Sequence, residues 1–140
     1  MTDFNRRSAM TVGLSVAAAT PFGLLPKPAV AEIYAADAGK ELMPGIRQVE
    51  LGEWPVDFGG YKRAVASDYI IAPGAGFPEE TMKNDVLCQM MEGELEITLN
   101  GTAFTGKVGH MFSCVVGTTE TDMNRTAAAA IMRSIDLFPA

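Results

Sequence analysis

The stretch PGAGFPEETMKNDVLCQMMEGELEITLNG, residues 73–101, decides the fold of this chain. It begins with a Gly/Pro-rich turn, passes the acidic pair Glu79-Glu80 and enters an apolar run over residues 86–91. Apolar and polar residues then alternate over residues 94–99, which is typical of a half-buried β-strand. Asn100-Gly101 follows and supplies the positive φ angles that a tight hairpin turn needs. The stretch therefore predicts the front half of a small β-barrel.

The composition of the whole chain limits the number of domains and the kinds of binding partner that we expect. Its 140 residues suggest one domain. With 48% hydrophobic and 20% charged residues, the chain is able to bury a core. The formal net charge is −6, and no basic patch is present to hold phosphates. Nucleic acid is therefore not an expected partner.

Residues 1–31 resemble a twin-arginine export signal. The pair Arg6-Arg7 precedes a moderately apolar run over residues 9–25, and Ala29-Val30-Ala31 is a small-residue cleavage pattern. An uncleaved anchor is the alternative, but this run of 17 residues is short for a membrane span, which needs roughly 20. The resemblance implies recognition by the export machinery and a periplasmic location. The mature chain would begin with an N-terminal arm, residues 32–44.

The rest of the mature chain is predicted to be mostly strands. Residues 46–54 alternate and form a plausible first strand, and residues 55–60 form a loop that contains paired glycines. Residues 61–72 are one or two strands with a polar break at Ser67-Asp68. The tail, residues 127–138, is predicted to be a closing strand, although its four alanines leave a helix open.

The order of features in residues 73–101 resembles the first motif of the cupin superfamily, roughly G-x5-H-x-H-x3,4-E-x6-G. When the motif is anchored on Gly93, its glutamate position holds Val86. Its two histidine positions hold Glu79 and Thr81. The frame therefore matches the family, while the histidine ligands of the family pattern are replaced.

A second stretch resembles the second cupin motif, roughly G-x5-P-x-G-x2-H-x3-N. Gly109, Gly117 and Asn124 match its two glycines and its asparagine. Val115 occupies the proline position, and Glu120 occupies the histidine position. The third histidine ligand is therefore replaced as well.

The resemblance implies an all-β fold, a single cupin-type jelly-roll barrel over residues 45–140. Cupins are commonly dimers, so a homodimer is expected. The same frame implies a pocket lined by side chains of both motifs and of the strand between them: Glu79, Thr81, Val86, Cys88, Met90 and Glu120.

Three functional interpretations remain open, and they leave open whether the protein is an enzyme. The barrel binds a small molecule without the usual histidine metal site. Alternatively, Glu79 and Glu120 act as acid and base in an isomerase or a lyase, because two inward carboxylates repel and one titrates high. In the third interpretation, Glu79, Glu120 and Asp85 or Glu80 hold a divalent metal ion through oxygen atoms.

The two cysteines are the last candidates. In the cupin frame, if Val86 faces Val116, then Cys88 faces Cys114, and an oxidising compartment favours a disulfide. Two buried free thiols are the alternative. A soft-metal copper site would combine both cysteines with Met90 or Met111. The single histidine, His110, is expected in a solvated turn.

Overall fold

The computed structural model describes residues 33–140. The predicted export signal lies outside the described residues. Within the described part, no helix is long and apolar enough to cross a bilayer. The ten strands, in chain order, are β1 Lys40–Met43, β2 Ile46–Phe58, β3 Tyr61–Ile71, β4 Glu80–Thr81, β5 Asp85–Glu92, β6 Glu94–Leu99, β7 Thr102–Lys107, β8 Met111–Cys114, β9 Thr119–Met123 and β10 Ala130–Pro139.

The strands form two antiparallel sheets, and the all-β prediction is confirmed. The larger sheet has the order β1-β2-β3-β10-β5-β8, and the smaller has the order β4-β9-β6-β7. Apolar side chains from both sheets meet in one core, in which Ile71 and Met90 pack with Leu95 and Ile97. This core is the interior of a jelly-roll barrel.

The stretch that decides the fold behaves as its pattern predicts. In β6, Leu95 and Ile97 are buried while Glu94 is exposed. Asn100 and Gly101 have φ angles of 47° and 80°, and they form the two-residue turn that joins β6 to β7. A side chain at Gly93 would place its Cβ 2.6 Å from the Ala129 carbonyl oxygen. The turn before β6 therefore requires glycine.

Three boundary predictions are corrected. Strand β2 continues to Phe58 through the predicted loop, because its outer end pairs with β3 in a long hairpin. Strand β3 is unbroken at Ser67-Asp68, because the buried Asp68 is paired with Arg133 and Tyr34. The N-terminal arm contributes β1 to the larger sheet. The closing strand predicted in the tail is confirmed as β10, which pairs with both β3 and β5.

The pairing of β5 with β8 differs from the register that the cysteine prediction assumed. Val86 lies opposite Cys114, and Cys88 lies opposite Phe112. The expected partner of Val86, Val116, lies beyond the end of β8, in the turn before β9. The register is thus two residues away from the one that would place the cysteines face to face. Both cysteines are buried free thiols in the structure, which is the alternative to the disulfide candidate.

Candidate functional site

A cavity of about 210 Å³ lies between the two sheets. Strands β3, β5 and β10 supply one wall, while β4 and β9 supply the other. The exposed residues Glu80 and Lys83 stand at its mouth. Its apolar lining includes Phe77, Val86 and Met132. The cavity therefore combines apolar walls with an opening to solvent, which is the usual form of a small-molecule site.

Three of the six predicted pocket residues line this cavity. Val86 and Cys88 reach it from β5, because alternate side chains of a strand point to the same face. Glu120 reaches it from β9. Met90 shares the inward face of β5 but is packed in the core and does not line the cavity.

The other two predicted pocket residues, Glu79 and Thr81, are exposed and do not line the cavity. The inward positions belong instead to Glu80, which pairs with Glu120 across the two strands, and to Met82. The cupin pattern allows either three or four residues before its glutamate position, and the structure adopts three. A one-residue slip turns every side chain of a strand to the opposite face. The predicted placement of Glu79 and Thr81 is therefore corrected.

An acid pair forms the buried polar part of the cavity. Glu120 and Asp122 are two residues apart on β9, so both side chains face inward, and they are only 6% and 2% exposed. The Cys114 thiol donates a hydrogen bond to Glu120 Oε2 at 3.3 Å. Among the described residues, no group donates a hydrogen bond to Glu120 Oε1 or to Asp122 Oδ1. Apart from the hydrogen bond that the two carboxyl groups make with each other when the pair holds a proton, these two oxygens receive no donor from the described residues.

Burial and proximity change the titration of this pair. Burial raises the pKa of Asp122 to about 8, and the neighbouring Glu120 carboxylate and its hydrogen bond act in the same direction. Burial also raises the pKa of Glu120, against the hydrogen bonds with Cys114 and Asp122, which lower it. The two raised pKa values favour a state in which the pair holds a proton that its two carboxyl groups share.

A second polar group lines the cavity beside the acid pair. Asp136 accepts hydrogen bonds from Ser134 Oγ at 2.7 Å and from Asn84 Nδ2 at 2.9 Å. Burial raises the pKa of the Tyr69 hydroxyl to about 12, and the Asp136 carboxylate adds to this effect. The Tyr69 ring meets Phe77 edge-on, with the ring centroids 5.3 Å apart. This side of the cavity thus offers an aromatic surface next to the hydrogen-bonded carboxylate of Asp136.

Solved structures of other proteins share this architecture. An RmlC-like cupin from Shewanella frigidimarina is 15% identical, with a TM-score of 0.60 over 79% of this chain and 93% of that chain. KdgF from Halomonas sp. is also 15% identical, with a TM-score of 0.59 over 69% of this chain and 84% of that chain. The Cupin_2 domain of an XRE family transcriptional regulator from Enterobacter cloacae is 19% identical, with a TM-score of 0.56 over 69% and 99%.

This chain has the cupin fold. No family model and no curated protein matches its sequence. At these identities the likeness shows the fold alone, and the chemistry of the site has to be argued from its own residues.

Of the predicted oxygen ligands for a metal, only Glu80 and Glu120 lie together at the cavity of this cupin barrel. Glu79 is exposed, and Asp85 does not line the cavity. Asp85 accepts hydrogen bonds from the Tyr61 hydroxyl and from the Val116 amide, the latter at 2.8 Å. Within residues 33–140, no three His, Cys, Asp or Glu side chains are arranged to hold a metal ion. The residues at the metal positions of the cupin pattern therefore do not fit the ions that imidazole ligands hold.

The soft-metal set is not assembled either. Met111 is exposed, and Met90 lies in the core rather than at the cavity. Burial raises the pKa of the Cys88 thiol far above its usual range and that of Cys114 to about 12. Both cysteines are therefore protonated at neutral pH in the metal-free protein. His110 is exposed in the turn before β8 and does not line the cavity.

Sequence reasoning missed Asp122, Asp136 and the aromatic wall. Asp122 had a local signal, because it stands two residues after Glu120, and residues two apart share a face in a strand such as β9. Asp136 had none. Its place at the cavity depends on the pairing of β10 with β5, in which Asp136 lies opposite Val86, 50 residues earlier in the chain.

Proposed function

We propose that this protein binds a small molecule in the cavity of its cupin barrel, without the histidine metal site of the family pattern. One observation carries the proposal: Glu120 and Asp122 each present a buried carboxyl oxygen to the cavity with no donor from the described residues. A buried acceptor without a partner costs roughly 1–3 kcal/mol, and more when it is charged. A ligand that donates hydrogen bonds to both oxygens would remove this cost, and its body would pack on the apolar walls.

The direct test is to identify what the protein carries. The full-length chain would be expressed and exported, and the purified protein would be examined by native mass spectrometry before and after denaturing extraction. We expect a mass excess that corresponds to one small molecule, with reduced occupancy in Glu120→Gln and Asp122→Asn. Asp57→Asn is the matched control, because Asp57 is an exposed acid of β2. Equal occupancy in all four proteins would remove the acid pair from the binding site.

Acid–base chemistry is the second candidate function, and the raised pKa values of the two adjacent carboxyl groups favour it. A carboxyl pair that shares one proton supplies an acid, Asp122, and a base, Glu120, at the same pH. In an isomerase, Glu120 would take a proton from the carbon next to a carbonyl while Asp122 gives its proton to the carbonyl oxygen. When the substrate is an α-hydroxy carbonyl compound, this step gives an enediol. Glu120 would then return its proton to the former carbonyl carbon while Asp122 takes the proton of the other hydroxyl oxygen, so that both groups regain their starting states. This pair replaces the predicted pair of Glu79 and Glu120, because Glu79 lies outside the cavity.

Deuterium exchange would test the second candidate. Dihydroxyacetone in D2O would be followed by NMR with wild-type protein and with Glu120→Gln. The acid–base candidate expects enzyme-dependent loss of the carbon-bound proton signals, abolished by the substitution. If the two proteins give the same exchange, Glu120 is not the base for this class of substrate.

Localisation and assembly complete the proposal. The paired Arg6-Arg7 motif supports twin-arginine export to the periplasm. Cell fractionation of the full chain should find the protein in the periplasm, and the double substitution of both arginines by lysine should retain it in the cytoplasm.

The exposed aromatic side chains Trp54 and Phe58 on β2 support a homodimer contact, which light scattering of the purified protein would test.

A further inference from the structure

We infer that the ligand carries a positively charged nitrogen, a primary or secondary ammonium group, which binds between Glu120 Oε1 and Asp122 Oδ1. The inference rests on the proposed binding function, because it names the class of ligand for the same cavity. It is carried by two oxygens that receive no donor from the described residues beyond the proton that the two carboxyl groups share, on side chains that are more than nine-tenths buried and line the cavity.

The charge of the cavity favours a cation over an anion. Its lining contains four carboxyl groups, those of Glu80, Glu120, Asp122 and Asp136, and one ammonium group, that of Lys83. Lys83 is exposed at the mouth, whereas Glu120 and Asp122 lie inside. An anionic ligand would therefore approach buried carboxyls in a region of low dielectric, where like charges repel strongly. A cation would be attracted along the whole path from Glu80 inward.

The geometry of the acceptors favours an N–H donor. A primary ammonium group has three donors and no acceptor, so one group can satisfy both Glu120 Oε1 and Asp122 Oδ1. A hydroxyl group has a single donor and leaves one of the two oxygens without a partner. Hydrogen bonds between a charged donor and a carboxylate are about twice as strong as neutral ones. The two free oxygens therefore select an ammonium over an alcohol of the same shape.

The other walls accept the body of such a ligand. Tyr69 and Phe77 present aromatic surface to the cavity, and Met82 and Met132 present flexible apolar side chains. Aromatic faces also attract cations, so this wall tolerates the charge as well as the hydrocarbon. A short amine with an aromatic or alkyl body would bury its carbon atoms here while its nitrogen reaches the acid pair.

Three probes of one shape test the inference: benzylammonium, benzyl alcohol and benzoate. Binding to the exported, purified protein would be measured at pH 7 and constant ionic strength by ligand-observed NMR titration. We expect benzylammonium to bind at least about tenfold more tightly than benzyl alcohol, and benzoate to bind most weakly. Glu120→Gln should lower the affinity for benzylammonium at least about tenfold, because the carboxylate becomes a neutral amide. The exposed control Asp57→Asn should leave that affinity unchanged.

Two results would overturn the inference. One is equal affinity of wild-type protein for benzyl alcohol and benzylammonium, and the other is equal affinity of Glu120→Gln and wild type for benzylammonium. Absence of binding by all three probes would also count against it, since the site is claimed to select the ammonium group itself. The proposed binding function is decided separately, by the molecule extracted from the purified protein. A neutral extracted ligand that depends on Glu120 would sustain the function and refute the inference.

Discussion

Replacing Asp122 by Asn should stabilise the protein by an amount that grows with pH. Burial raises the pKa of Asp122 from its ordinary value of 3.8 to about 8. Between these two values the folded state keeps a proton that the unfolded state has released. The folded state therefore binds more protons, and the free energy of unfolding falls as pH rises. Asparagine has nearly the same shape as the protonated acid and lacks this pH dependence.

The magnitude follows from the linkage relation. Each pH unit between the unfolded and the folded pKa changes the contribution of this group by about 1.4 kcal/mol. From pH 5 to pH 7, the advantage of Asp122→Asn over wild type should therefore increase by about 3 kcal/mol. The side-chain amide introduced by this substitution can also donate to Glu120 Oε1, which has no partner among the described residues of the wild-type protein. Other titrating groups are shared by both proteins, and most of their effect cancels in the difference.

Urea unfolding of both proteins at pH 5 and pH 7, followed by circular dichroism, measures this difference. Asp57→Asn is the control, since Asp57 is 86% exposed and pairs with the exposed Lys62. That substitution should change the free energy of unfolding by less than about 0.5 kcal/mol. If the difference in free energy of unfolding between Asp122→Asn and wild type is the same at pH 5 and pH 7, Asp122 does not hold a buried proton and the electrostatic account of the site fails.

The remaining predictions concern the scaffold. Asn124→Ala should destabilise the protein by about 3 kcal/mol in urea unfolding, because this fully buried amide donates to the Ile71 and Ala128 carbonyls. Arg133→Ala should cost about 3–5 kcal/mol, because it leaves the Asp68 carboxylate buried without its cation; the double variant with Asp68→Asn should recover part of that loss. Gly76→Ala should prevent normal folding, since its Cβ would lie 2.1 Å from the Asp122 carbonyl oxygen, and low soluble yield would report it. Thiol titration of the unfolded, unreduced protein should find both cysteines free.

The sequence could predict the barrel because its signals are local. Alternation in β6, the Asn100-Gly101 turn and the glycine at 93 each depend on residues next to one another in the chain. Burial of alternate side chains and positive φ angles in a turn are required whatever the position of the segment in the fold. The closed jelly-roll barrel was implied by the resemblance to the two cupin motifs, whose glycines at 93, 109 and 117 are kept although the histidine ligands are replaced.

The site was less predictable because it depends on register. The prediction used the form of the cupin motif with four residues before Val86, which selects Glu79 and Thr81. The structure matches the form with three residues, which selects Glu80 and Met82 at the cavity. The register assumed for the cysteine pairing differs by two residues from the observed register between β5 and β8. Registers between distant strands are decided by core packing and turn geometry together, which the separate strands do not reveal.

The fold also shows that buried acids need not remain without partners. Asp68, 1% exposed, accepts two hydrogen bonds from Arg133, at 2.8 and 2.9 Å, and one from the Tyr34 hydroxyl at 2.6 Å. Glu120 and Asp122 are similarly buried, yet each keeps an oxygen without a donor from the described residues, and both face the cavity. A barrel built only for stability would gain by pairing or replacing them, as the Asp122→Asn prediction states. The two acids instead lower the stability of the protein at an open cavity with apolar walls. Such a local loss of stability is typical of a binding site, in which a ligand supplies the hydrogen-bond donors that the protein lacks.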